Sequence, residues 1–219
     1  MLPMIHRAED VAALTRELGF LPLLDCGIPG FSVAALTDPS IWEERGDGNP
    51  WEWRYLLAER EDIAYGKLFK NKIGFVSRDW VPRFTNIRRN GYDFDAMYAD
   101  GGATWEAAQL MALFSGGTAL PSWDIKRLGP ANAGEKHLTE LQMRGYLVIC
   151  GFEQKKNRSG AGYGWPCGVY CTPEAKFGAD YVRSGCKESP AESMDKAILH
   201  LRKFLPHASG KRLIQLLKG

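Results

Sequence analysis

The sequence predicts an α+β fold, mainly helical, and three features carry the prediction. Amphipathic stretches with clear start or stop signals lie near both ends of the chain: Arg7–Gly19, with Val11, Leu14 and Leu18 on one face, and Ser189–Leu205, opened by Ser189-Pro190-Ala191-Glu192. Ile63, Tyr65, Lys67 and Phe69 alternate onto one face before Lys70-Asn71-Lys72 turns the chain back through Ile73–Val76, the pattern of a β-hairpin. Between Thr118 and Thr172 the order is helix, tight break, helix, apolar strand, basic loop and return strand. That is the order of a winged helix-turn-helix. The predicted architecture is a winged helix-turn-helix core with an additional β-hairpin and flanking helices.

Taken in order, Gly19 terminates the first helix and Phe20–Cys26 is an apolar connector. Ser32 caps a short helix through Leu36, stopped before Pro39, and Trp42–Asn49 is a charged, glycine-rich loop. Asn49 as cap and Pro50 at the first helical position start a helix to Arg60. After the hairpin, Ser77 caps a helix over Arg78–Arg89, with Asp79 in its first turn and a slight distortion expected at Pro82. Asn90-Gly91 breaks it, Asp93–Tyr98 forms a further turn or two, and Thr104–Phe114 supplies the first helix of the winged module. Ser122 is the expected cap of the next helix, to Leu128, and Gly129–Gly134 is the break. The helix that follows, Glu135–Arg144, buries Leu138, Leu141 and Met143 and leaves Lys136, His137, Glu140 and Arg144 outside. Tyr146–Cys150 and Gly164–Cys171 are strands around a basic loop, Pro173–Arg183 is partly helical, and Lys211–Lys218 is a basic amphipathic tail. The chain divides into an N-terminal helical region with the hairpin (1–101), the winged module (102–176) and a C-terminal helical extension (177–219), packed as one compact unit.

With 219 residues and a formal charge of +2, nothing global demands a nucleic acid or an anionic membrane. No apolar run is long enough to span a bilayer, and Met1–Asp10 lacks the pattern of a signal peptide, so a cytoplasmic location is expected. The five cysteines, Cys26, Cys150, Cys167, Cys171 and Cys186, have neither disulfide-framework nor zinc-site spacing; no metal and no cofactor is expected.

Candidate functional residues fall into three groups. In the winged module Lys136, His137 and Arg144 are placed to face a DNA groove, and Lys155, Lys156 and Arg158 to meet flanking phosphates. The footprint is modest, with eight basic and five acidic residues from Ser122 to Lys176, so a protein-contact scaffold is the competing reading. The helix over Arg78–Arg89 holds the densest basic cluster, from which Arg83 and Arg88 are candidate phosphate contacts, against the alternative of a solvated helix. Trp51-Glu52-Trp53-Arg54 and Lys67, the lone charge on its apolar face, form the third group. Either Glu52 acts as acid or base in a pocket where Arg54 and Lys67 hold an anion, or these charges form a structural ion pair.

The order of Trp51-Glu52-Trp53-Arg54, Ala64-Tyr65-Gly66-Lys67, the arginine helix and the winged module resembles the AlkZ-related proteins. Shared features include Ile28-Pro29-Gly30-Phe31-Ser32, Tyr92-Asp93-Phe94-Asp95, Leu141-Gln142-Met143 and Tyr163-Gly164-Trp165. These proteins are short relatives of winged-helix DNA glycosylases that excise alkylated bases and unhook interstrand crosslinks. The resemblance implies the fold and DNA contact. It carries over no catalytic residue: the glycosylases' pair of polar residues, two apart near the N-terminus, has no counterpart, the only glutamines being Gln109, Gln142, Gln154 and Gln215. The expected function is DNA binding connected to repair, with the pocket enzyme (a divergent glycosylase included) and the interaction scaffold as alternatives.

Overall fold

The computed structural model describes residues 2–43, 48–132 and 134–219, so part of the expected loop at Trp42–Asn49, and Ala133 in the break before Glu135, lie outside the described residues. Helix α1 (Ala8–Leu18) buries Val11, Leu14 and Leu18 and stops at Gly19, whose φ of 79° suits glycine. Strand β1 (Phe20–Pro22) follows, then α2 (Val33–Leu36), capped by Ser32 as its sequence predicts. In α3 (Pro50–Glu59) the Asn49 side chain accepts from the Trp51 amide and Pro50 occupies the first turn. Strands β2 (Ile63–Phe69) and β3 (Lys72–Ser77) are joined through Lys70 and Asn71 at φ 47° and 64°, the left-handed pair that a tight hairpin turn requires.

The helix expected over Arg78–Arg89 is split. Arg78–Trp80 form a 3-10 turn and α4 spans Val81–Arg89. Pro82 therefore lies in a first turn, where a missing amide hydrogen costs little, and no mid-helix distortion arises. Asp93 caps α5 (Phe94–Ala99) and Thr104 caps α6 (Trp105–Ala112). The short β4 (Leu120–Pro121) leads into α7 (Ser122–Leu128), where Pro121, not Ser122, holds the cap position. Then come α8 (Glu135–Met143), β5 (Val148–Lys156) and β6 (Gly162–Cys171). The C-terminal part is α9 (Pro173–Phe177), α10 (Ala179–Arg183), α11 (Pro190–Arg202) with the Ser189–Glu192 capping box, and α12 (Gly210–Lys218).

The fold is mixed α/β and organised on one six-stranded antiparallel sheet of order β1-β3-β2-β5-β6-β4. The N-terminal hairpin is thus not merely packed beside the later strands: β2 joins β5 in the same sheet, in register at Tyr65 and Ile149. The larger hydrophobic core runs from Ile5 in the N-terminal segment to Leu217 in α12 and includes Leu18, Trp53, Leu57, Tyr65, Phe75, Phe84 and Leu201. A smaller one gathers Met97, Leu110, Phe114, Ile125, Leu138, Leu141 and Leu147 where α5, α6, α7 and α8 meet. Tyr170 of β6 packs against both cores. Among the described residues no helix is long and apolar enough to cross a membrane.

Candidate nucleic-acid interface

Helix α8 is held from behind by residues that the sequence marks as unusual. The buried Gln142 accepts from the Lys67 amide at 2.9 Å and donates to the Leu138 carbonyl at 3.0 Å, so both ends of its amide are used. Gly66 makes room for this contact, since a Cβ there would stand 2.9 Å from the Gln142 Oε1. Lys67 Nζ reaches Glu135 Oε1 at 2.6 Å and Thr139 Oγ1 at 3.3 Å, which ties the N-terminal half of α8 to β2. At the other end Arg88 donates to the carbonyls of Met143, Leu68 and Leu216. Met143 and Leu216 lie in the last turns of α8 and α12, where unsatisfied carbonyls and the negative helix end both favour a cation. Burial pulls the Arg88 guanidinium down to about 9 from its ordinary value, which leaves it charged at neutral pH. Arg89 donates to the Gly145 carbonyl, pairs with both Glu174 oxygens and stacks 4.7 Å from the Tyr146 ring.

The arginine helix therefore does not present the row of phosphate contacts its sequence suggests. Arg88 is enclosed by protein carbonyls, a correction to its expected place on the surface. Arg83 donates to Glu188 at 2.8 Å and lies 5.6 Å from the Trp80 ring. On α8 itself Arg144 is also engaged, with Glu140 at 3.1 Å and the Gly102 carbonyl at 3.0 Å. His137 is half-buried, its Nδ1 enclosed and without a partner, whereas Lys136 is exposed.

Glu52, Arg54 and Lys67 are not joined by ion pairs among the described residues, since Lys67 turns to Glu135 instead. Arg54 is fixed by cation–ring contacts of 5.2, 4.9 and 5.6 Å to Trp51, Tyr55 and Phe152, and donates to the Trp51 carbonyl and the Tyr55 hydroxyl. Glu52 is half-buried on α3, and Trp53 is in the core.

The hairpin β5–β6 is different in kind. Lys155, Lys156 and Arg158 are exposed, and they take part in none of the ion pairs formed among the described residues. Lys155 Nζ lies 5.6 Å from the Trp123 ring on α7, which draws the hairpin's charge toward the helical layer. A shallow hollow of about 670 Å³ is lined by Phe152, Glu153, Gln154, Lys156 and Gly162. Arg54, stacked on Phe152, stands at the root of the same hairpin. Tyr163 and Trp165, which residue-type counting leaves out of the candidate site, are 53% and 84% exposed on the same hairpin. Their flanking glycines, Gly162 and Gly164, were the available signal.

A family model described as AlkZ related matches residues 5–218, nearly the whole chain. The chain belongs to the AlkZ-related family. No curated protein and no solved structure matches it. Several sequence features of this AlkZ-related chain now have physical roles: Gly66, Lys67, Gln142, Arg88 and Arg89 together dock α8 on the sheet.

Proposed function

We propose that the protein binds DNA, in a role linked to repair, through a winged helix-turn-helix formed by α6, β4, α7, α8, β5 and β6. The element order supports this reading, with β4, β6 and β5 adjacent in the sheet and α7 and α8 leading into the hairpin. In this arrangement α8 is the helix offered to the groove and the β5–β6 hairpin is the wing. The observation that carries the proposal is the group of exposed cations at the hairpin, Lys155, Lys156 and Arg158, which no carboxylate pairs among the described residues, whereas Arg83, Arg88, Arg89 and Arg144 are bound to protein partners. Cations that no carboxylate neutralises are available to replace the counterions of a phosphate backbone. Lys136 adds one exposed charge on α8; Arg144 and Arg83 serve this surface only after leaving Glu140 and Glu188, and His137 is half-buried. Family membership supports the link to DNA repair. No excision chemistry is proposed, because the polar pair of the glycosylases has no counterpart in this sequence.

The test is a titration of labelled double-stranded, single-stranded and abasic-site DNA across a salt series. It is run on the protein and on its Lys155→Ala, Lys156→Ala, Arg158→Ala triple variant. Affinity that falls with salt and is weakened in the variant supports the reading. Absence of binding at low salt overturns it and leaves the pocket around Glu52 and Lys67 and the scaffold as the alternatives.

A further inference from the structure

The wing carries a second device, and the structure gives it a cost that ordinary packing does not explain. Strands β5 and β6 pair Glu153 with Cys167 and Lys155 with Tyr163. Between those two pairs β5 has one residue, Gln154, whereas β6 has Gly164, Trp165 and Pro166. The surplus is a bulge, and bulges re-aim side chains out of a ladder. Gly164 takes φ 73°, a conformation other residues adopt at a penalty, and Gln154 Nε2 holds its carbonyl at 2.6 Å. At Gly162 a Cβ would stand 2.3 Å from the Gln154 Oε1, so a side chain there would displace the Gln154 amide. At the apex the Trp165 indole is 84% exposed, by far the most exposed large apolar side chain among those described. Cys167 Sγ contacts the Trp165 carbonyl at 3.7 Å, so the backbone on the far side of the bulge is held as well.

We infer that Trp165, with Tyr163 beside it, is a stacking platform for an unpaired base, and that the wing selects DNA containing unstacked bases over intact duplex. The inference rests on the DNA-binding reading and adds the substrate class. Single strands are bound by combining a positive track for the backbone with exposed aromatic faces for the bases. Here Lys155 lies directly across from Tyr163 and Lys156 across from Gly162, with Arg158 in the connecting loop, so both components share one hairpin. An intact duplex offers the cations its phosphates but keeps its base faces covered. A single strand, or a duplex with an unpaired nucleotide, offers both.

Three DNAs of equal length separate the contributions: a perfect duplex, the same duplex with one extra unpaired nucleotide, and a single strand. Each is titrated by fluorescence anisotropy at one salt concentration against the wild-type protein, Trp165→Ala and Trp165→Phe. Thermal unfolding of both variants confirms that the exposed position leaves the fold intact. The expected result is tighter wild-type binding to the unpaired-base DNAs. Trp165→Ala weakens those complexes by about 5- to 100-fold and the perfect duplex by less than about 2-fold, and Trp165→Phe retains most of the preference. If Trp165→Ala changes nothing, or weakens all three DNAs equally, the stacking assignment is overturned while DNA binding by the hairpin cations stands. If the wild-type protein binds none of the three, the DNA-binding reading falls with it, and the exposed indole belongs to a protein contact.

Discussion

Two basic clusters of this protein stand out in the sequence, the helix cluster more densely, and they are opposite in the structure. The helix α4 cluster is consumed: Arg83 on Glu188, Arg88 on three backbone carbonyls, and Arg89 on Glu174 and Gly145. The hairpin cluster is left unpaired at the surface. The difference teaches that a basic footprint is measured after internal pairing, not by counting residues. It also divides the labour: α4 positions α8 from inside the molecule, and the hairpin presents charge outside it.

The largest effect that tests this division is Arg88→Met. Methionine replaces the apolar stem but leaves the carbonyls of Leu68, Met143 and Leu216 without their donor. Denaturant unfolding should show a loss of about 3–5 kcal/mol, the range for removing a charged hydrogen-bonding partner from a closed site. The salt slope of DNA binding by the folded variant should match wild type. A stable variant with a weaker salt slope would break the comparison, because Arg88 would then be meeting phosphate.

The reciprocal change is the hairpin triple variant, Lys155→Ala, Lys156→Ala and Arg158→Ala. Its stability should stay within about 0.5 kcal/mol of wild type, as expected for exposed unpaired side chains. The slope of log affinity against log salt should lose about 2–3 units, close to one per phosphate contact removed. A stability loss comparable to that of Arg88→Met would mean that these cations, too, are structural.

Acid titration extends the comparison to a third set of arginines. Arg60 and then Arg16 donate to Asp62 and hold its carboxyl at about 2, well below its ordinary value of 3.8. Because the folded value is depressed, the stabilisation is complete above the ordinary carboxylate range and is lost as pH falls through about 2. Screening at this partly exposed group limits it to roughly 1–2 kcal/mol. Asp62→Asn should remove that part of the acid dependence in pH-dependent unfolding; an unchanged acid limb would remove Asp62 from the set of consumed charges.

What sequence reasoning recovered and missed follows the same line. Local signals were legible: the Ser189–Glu192 capping box, the Asn49-Pro50 helix start and the Lys70-Asn71 turn are all formed where residue chemistry placed them. Lys67 stands out in the sequence as a lone charge on an apolar face, but its partner Glu135 is 68 residues away and leaves no local trace. The same holds for Arg88, whose acceptors are 20, 55 and 128 residues distant, and for the union of the two hairpins at Tyr65 and Ile149. Non-local pairing of long side chains has no periodicity to read. The exposure of Trp165 was hidden for another reason: aromatic residues flanked by glycine fit a strand equally well until the unequal residue count across the hairpin is known.

The smallest effect lies at the boundary between the two regimes. Lys67 is 30% exposed and Glu135 is 80% exposed, so their contact is neither enclosed like those of Arg88 nor absent as at Lys156. A double-mutant cycle with Lys67→Met and Glu135→Gln should give a coupling of no more than about 0.5–1 kcal/mol, with solvent and salt screening most of the attraction. The Lys67 hydrogen bond and charge lower the Glu135 carboxyl from its ordinary 4.5. The coupling should therefore be present at neutral pH and fade as the carboxylate protonates below that value. Lys67→Met alone should cost more than the coupling, because it also removes the donor to Thr139. A coupling above about 2 kcal/mol would place Lys67 with the consumed arginines and make the β2–α8 contact a principal clamp. A coupling of zero would leave Gln142, fixed by the Lys67 backbone amide, as the contact that sets α8 on β2 at this end.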